Sequence, residues 1–134
     1  MSRLLLDTTF LVDADRSKAS LDELINDDDE VAIAAITVAE LLVGVLLADP
    51  AHRSDRRQFV DEVEEAIPIV DYDETVAAAH AELLVAVRRQ GRPRGAHDLI
   101  IAATANATQR EVVSADSSAY QDLPGVTVRS HRAS

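Results

Sequence analysis

An α/β fold on a mostly parallel sheet is what this sequence predicts, and three observations predict it. Short apolar runs without polar alternation recur along the chain, which is the mark of strands buried on both faces. Between them lie longer stretches with apolar residues three and four apart, the pattern of helices laid on a sheet. The chain has 134 residues, 47% of them hydrophobic, enough to build the core of a single domain spanning 1–134.

Arg3-Leu4-Leu5-Leu6 reads as the first strand and stops at Asp7. Residues 31–36 read as the second. Thr37 stands three residues before Glu40, a capping-box spacing that predicts a helix beginning at Thr37. Val38, Leu41, Leu42, Val45 and Leu46 then follow at helical spacing, and Phe59, Val60 and Val63 do the same further on. Residues 67–70 form a weaker strand, because Pro68 suits only an edge or a strand end. Val76, His80, Leu83, Leu84 and Val87 predict a helix over 73–90, with His80 packed in its apolar stripe. Residues 98–107 are rich in alanine and isoleucine and read as a buried helix. Residues 111–114 and 126–128 complete a sheet of about five strands.

Composition excludes several classes. Without cysteine there is no disulfide scaffold, no cysteine zinc cluster and no cysteine nucleophile. No apolar run approaches the roughly 18 residues needed to span a bilayer. The N-terminal apolar run is broken at Asp7, too early for a secretory leader, so a cytoplasmic protein without a membrane partner is expected. There are 24 acids against 13 bases, for a net charge of −11, and Lys18 is the one lysine. Such a chain lacks the broad basic surface of a general nucleic-acid coat, and suits a basic partner or metal ions.

Four acids stand out by position. Asp7 follows the first strand, Glu40 lies in the first turn after the second, Asp98 opens the 98–107 helix, and Asp116 follows the 111–114 strand. In a parallel sheet these places share one edge, where α/β folds bind ligands. Each acid also has a plainer reading as a helix cap or turn residue. Together, like charges this close resist ionising unless a cation is present. Mg²⁺ or Mn²⁺ suits an all-oxygen site, since no histidine pair has zinc-ligand spacing. Such an ion lowers the pKa of a water and neutralises a phosphodiester.

The motifs resemble those of a known family. Leu4-Leu5-Leu6-Asp7-Thr8-Thr9-Phe10-Leu11-Val12 is similar to the opening motif of PIN-domain nucleases. Thr37-Val38-Ala39-Glu40-Leu41 resembles the second motif, Asp98-Leu99-Ile100-Ile101-Ala102-Ala103-Thr104-Ala105 the third, and Ser114-Ala115-Asp116 the fourth. Their order, spacing and total length resemble the VapC toxins of bacterial toxin–antitoxin modules. The resemblance implies a three-layer α/β/α PIN-like fold and an Mg²⁺- or Mn²⁺-dependent endoribonuclease acting on tRNA or rRNA. It implies a catalytic quartet of Asp7, Glu40, Asp98 and Asp116, with Asp7, Asp98 and Asp116 at the metal and Glu40 acting through water. Thr9 and Ser114 would hold the carboxylates in place. It further implies a cognate VapB-like antitoxin and a homodimer, for which the apolar 38–47 helix could supply surface. One departure stands out: where family members often carry an aromatic residue, three positions after the fourth acid, this chain has Ala119, with Tyr120 one later.

Arg88, Arg89, Arg92 and Arg94 form the concentrated basic segment and are the expected RNA-phosphate contacts. Arg53, Arg56 and Arg57 read as solvated, as do Asp13, Asp15 and the acidic run 27–30; His97 reads as a surface or packing residue. A receiver domain is excluded by the lack of a late lysine, and a haloacid-dehalogenase phosphatase by Asp7-Thr8-Thr9, which lacks a second acid. The alternatives left are a PIN-fold RNA-processing nuclease without a toxin role, and an inactive PIN-fold binding protein. The second fits poorly with four retained acids.

Overall fold

The first strand, β1 (Arg3–Leu6), lies at the centre of the sheet and positions everything else. The computed structural model describes residues 2–18, 23 and 25–131; Met1, at the head of the run weighed as a leader, lies outside them. After β1 come α1 (Thr8–Ser17), β2 (Glu30–Ala34), α2 (Ala35–Leu47), α3 (Pro50–Ala66) and β3 (Ile69–Val70). Then follow α4 (Glu74–Gln90), α5 (Ala96–Thr108), β4 (Glu111–Ser114), a 3₁₀ turn (Ser117–Tyr120) and β5 (Val128–Ser130). The sheet runs β3-β2-β1-β4-β5, and every pairing is parallel. That is the parallel α/β architecture expected from the uninterrupted apolar runs.

The strands feed two cores by simple alternation. Leu5, Ala32, Ala34 and Val112 point to one face, where Val76 and Leu83 of α4 and Leu99, Ile101 and Ala102 of α5 cover them. Leu4, Leu6, Ile33 and Val113 point to the other, against Phe10 and Leu11 of α1, Leu41 and Val45 of α2, and Val60 and Val63 of α3. Three layers result. Each fully buried Leu, Ile, Val or Phe contributes about 1.5–3 kcal/mol against exposure, so both faces of the sheet are firmly covered. Among the described residues no helix is long and apolar enough to cross a membrane.

Several expected boundaries move. The second strand ends at Ala34 rather than residue 36, because its pairing with β3 ends at Ala34↔Val70 and α2 starts at once. Thr37 therefore does not cap that helix. It is fully buried inside the first turn, and its hydroxyl lies 3.2 Å from the Thr8 hydroxyl; the capping position is Ala34, with no side-chain bond. The last strand lies two residues later than 126–128, because a turn at Gly125 (φ +76°) intervenes and the register aligns Val112 with Val128. Pro68 stands beside the two-residue edge strand, where its missing N–H costs nothing and its carbonyl accepts from the Ile33 amide at 3.0 Å. His80 is half-buried, as its stripe predicts, and lies 2.8 Å from the Tyr72 hydroxyl.

The chain leaves β1 for β2 and β3 on one side, then crosses to β4 and β5 on the other. The switch lies between β1 and β4, which is where a ligand cleft opens in such sheets.

Candidate active site at the carboxyl edge of the sheet

One cleft at this edge is lined by five carboxylates, Asp7, Asp13, Glu40, Asp98 and Asp116, together with Thr8, Thr9 and Arg16. The four acids singled out by position are thus brought to one place by β1, α2, α5 and the turn after β4.

Asp7 ends β1 and caps α1, so the helix-cap and site readings both hold for it. It is 2% exposed, and a buried carboxylate needs donors. It has three. Thr9 Oγ1 donates to Oδ1 at 2.7 Å, the Phe10 amide donates to Oδ1 at 2.9 Å, and the Tyr120 hydroxyl donates to Oδ2 at 2.8 Å. Burial and the adjacent Asp7 charge push the Tyr120 hydroxyl far above its ordinary pKa, so it remains a proton donor. With its own proton committed to Asp7, Thr9 Oγ1 accepts from the Ala115 amide at 3.1 Å and stands 3.1 Å from Ser114 Oγ. Ser114 Oγ in turn accepts from the Asp116 amide at 2.9 Å. A run of hydrogen bonds thereby ties the end of β4 to the end of β1. Thr9 thus bonds the Asp7 carboxylate directly, whereas Ser114 meets Thr9 and the Asp116 backbone amide and reaches no carboxylate among the described residues.

Glu40 is held from two sides. Thr8 Oγ1 donates to Oε1 at 2.7 Å, and His97 Nδ1 lies 3.3 Å from Oε2. Asp116 Oδ1 accepts from Ser118 Oγ at 2.6 Å. Asp98 differs: it sits half-buried in the first turn of α5 and receives no hydrogen bond among the described residues. Burial raises its pKa, and the charges of Asp7, Glu40 and Asp116 raise it further. The carboxylate lies back over Gly95, where an added Cβ would stand 2.6 Å from Oδ2.

Among the described residues no three His, Cys, Asp or Glu side chains stand close enough to ligate one ion directly. The donor set nevertheless fits a hydrated magnesium-class cation. All the cleft acids are oxygen donors, and such an ion keeps several waters, needing one or two carboxylates plus substrate phosphate. Burial first, and then the charges of Asp7, Glu40 and Asp116, make Asp98 costly to ionise, a cost a nearby cation would reduce.

Sequence reasoning missed two cleft residues. Asp13, read as surface, and Arg16 both line the cleft. The signal was present: Thr9, Asp13 and Arg16 follow i, i+4, i+7 on α1, so the helix turns them to the same side. His97, read as surface or packing, touches Glu40 while staying half-exposed. Arg88, Arg89, Arg92 and Arg94 do not line the cleft. Arg88 and Arg89 are exposed in the last turn of α4, Arg92 pairs with Asp122 at 2.9 Å, and Arg94 is half-buried with Nη2 enclosed and unpartnered.

This architecture has known counterparts. The chain is 25% identical over 126 residues to "Ribonuclease VapC" of Rickettsia bellii (strain RML369-C), covering 93% of both chains. It shares its fold with the structure of VapBC2 from Rickettsia felis bound to a DNA fragment from their promoter: TM-score 0.87, 22% identity, 96% of this chain and 98% of that one. It is likewise similar to VapBC-5, a toxin–antitoxin family member from Mycobacterium tuberculosis: TM-score 0.80, 28% identity, 98% and 100% coverage. The PIN domain model matches residues 4–123, from β1 through the turn that carries Tyr120. With that match spanning the strands and helices that build the acid cleft, the chain belongs to the PIN-domain family.

Proposed function

We propose that this chain is a divalent-metal-dependent endoribonuclease and the toxin of a type II toxin–antitoxin pair. The observation that carries the reading is the convergence of Asp7, Glu40, Asp98 and Asp116 on one cleft at the sheet's switch point. Similarity to a ribonuclease VapC and to VapBC complexes supports it. Mg²⁺ or Mn²⁺ would be held directly by one or two of Asp7, Asp98 and Asp116, with the rest reaching it through its waters; when bound, it would neutralise the carboxylates and the substrate phosphate and make water a better nucleophile at neutral pH. Glu40, fixed by Thr8 and His97, orients a water toward the scissile phosphate. Arg16 supplies positive charge in an otherwise acidic cleft and holds a phosphate of the RNA strand. Arg88, Arg89, Arg92 and Arg94 hold phosphates farther along a structured RNA such as tRNA or rRNA.

The proposed protein partner is a VapB-like antitoxin that offers a basic residue to the acids, in keeping with the net charge of −11. A homodimer is proposed from the exposed Val43, Leu46 and Leu47 on α2.

The test is cleavage of total RNA by the antitoxin-free protein at neutral pH with Mg²⁺ or Mn²⁺, against EDTA and the Asp7→Asn and Asp98→Asn variants. Discrete fragments that disappear in each control are expected. A folded protein that neither cleaves RNA nor binds Mn²⁺ would overturn the reading in favour of a PIN-fold binding protein.

A further inference from the structure

The hydroxyl of Tyr120 has a place in the site that ring packing does not require. The ring is 1% exposed and fills the core beside Leu99, Ile101 and Leu123. A phenylalanine would fill that space equally. The hydroxyl instead reaches Asp7 Oδ2 at 2.8 Å. A carboxylate has about four lone-pair sites. At Asp7 both sites on Oδ1 are taken, by Thr9 Oγ1 and the Phe10 amide, and one on Oδ2 is taken by Tyr120. One lone pair remains, on Oδ2.

We propose that Tyr120 is a positioning residue for Asp7: with Thr9 and the Phe10 amide it fixes the carboxylate's rotation and leaves one lone pair of Oδ2 for the cation. The inference rests on the nuclease reading above. It also gives the displaced aromatic of this chain a task. The residue one place beyond Ala119 lies in the 3₁₀ turn that follows Asp116, so the fourth acid and the anchor of the first are set by the same turn.

The experiment compares the full chain with Tyr120→Phe and Tyr120→Leu. Mn²⁺ affinity is measured by calorimetry without RNA, and kcat and KM on an RNA that the wild type cleaves. Loss of a hydrogen-bond partner behind a metal ligand typically costs roughly 10–100-fold in affinity or activity. Tyr120→Phe is expected to weaken Mn²⁺ binding and lower kcat by that factor, with KM for RNA unchanged. Tyr120→Leu is expected to show the same loss and a lower melting temperature as well. Wild-type Mn²⁺ affinity and kcat in Tyr120→Phe, with loss confined to Tyr120→Leu, would reduce Tyr120 to a core residue and overturn the inference. If the phenylalanine variant does not fold, 3-fluorotyrosine at position 120 serves, being a stronger donor of nearly the same shape. A changed Mn²⁺ affinity supports the inference and an unchanged one overturns it. A wild type that neither binds Mn²⁺ nor cleaves RNA overturns the nuclease reading and this inference together, whereas an active wild type matched by Tyr120→Phe overturns the inference alone.

Discussion

Asp7 and Asp98 line the same cleft and are held in opposite ways. Asp7 is buried at the end of the central strand, with three donors around it. Asp98 stands in the first turn of a helix with no donor among the described residues, and burial first, then three like charges, raises its pKa. The first carboxylate is fixed before any ligand arrives. The second is costly to ionise where it sits. The cleft thus sets a rigidly held carboxylate beside one with no anchoring donor among the described residues.

Asp7→Asn attacks the fixed half and should have the largest effect. Cleavage should fall to the level of the EDTA control. An amide also places an N–H₂ group among committed donors, so stability should fall by about 1–3 kcal/mol, read as a lower melting temperature in EDTA.

Asp98→Asn attacks the repelled half and should separate the two readouts. Cleavage should again be lost, yet the metal-free protein should melt higher at neutral pH. The sign follows from linkage. A carboxyl whose folded pKa is raised binds more protons when folded, so its ionisation costs stability as pH rises through the window above the unfolded value of 3.8. The advantage of Asn over Asp should therefore be full at neutral pH and vanish as the pH falls below that value. Equal losses of stability in both variants would erase this contrast between the two carboxylates.

Gly95→Ala sharpens the comparison without touching a carboxylate. The new methyl would stand 2.6 Å from Asp98 Oδ2, so the flexible carboxylate end must swing away. Misplacement on the ångström scale costs up to about 100-fold in rate; cleavage should drop by roughly 10–100-fold while the melting temperature stays near wild type. The smallest effect belongs to Arg16→Ala, which leaves both acids alone. It should raise KM for RNA with little change in kcat, and reduce the slope of log affinity against log salt by about one.

Much of this was legible in the sequence. Strand periodicity and the acid after each strand place Asp7 and Asp116. The Asp98 helix is marked by its alanine-rich face, and the parallel sheet follows from runs with no polar alternation. What was not legible depends on partners far along the chain. Thr37 looks like a cap until Thr8, 29 residues away, is seen beside it. Tyr120 looks like a shifted packing residue until its hydroxyl is found 113 residues from its acceptor. Asp13 and Arg16 were readable from helical spacing, but only once Thr9 was fixed as the cleft-facing residue. The arginines of 88–94 were read from their proximity in sequence to Asp98, and none of them lines the cleft.

The strand order carries a consequence for synthesis. β1 hydrogen-bonds on one side to β2 and on the other to β4, so Leu4, Leu5 and Leu6 wait for Glu111, Val112 and Val113. A growing chain holds Asp7 and Glu40 early, but the cleft cannot close until residues 111–120 have left the ribosome. The contacts that complete it span more than a hundred residues, and such contacts form late. The acid cleft is therefore completed only after β4 and the turn that carries Tyr120 have been made.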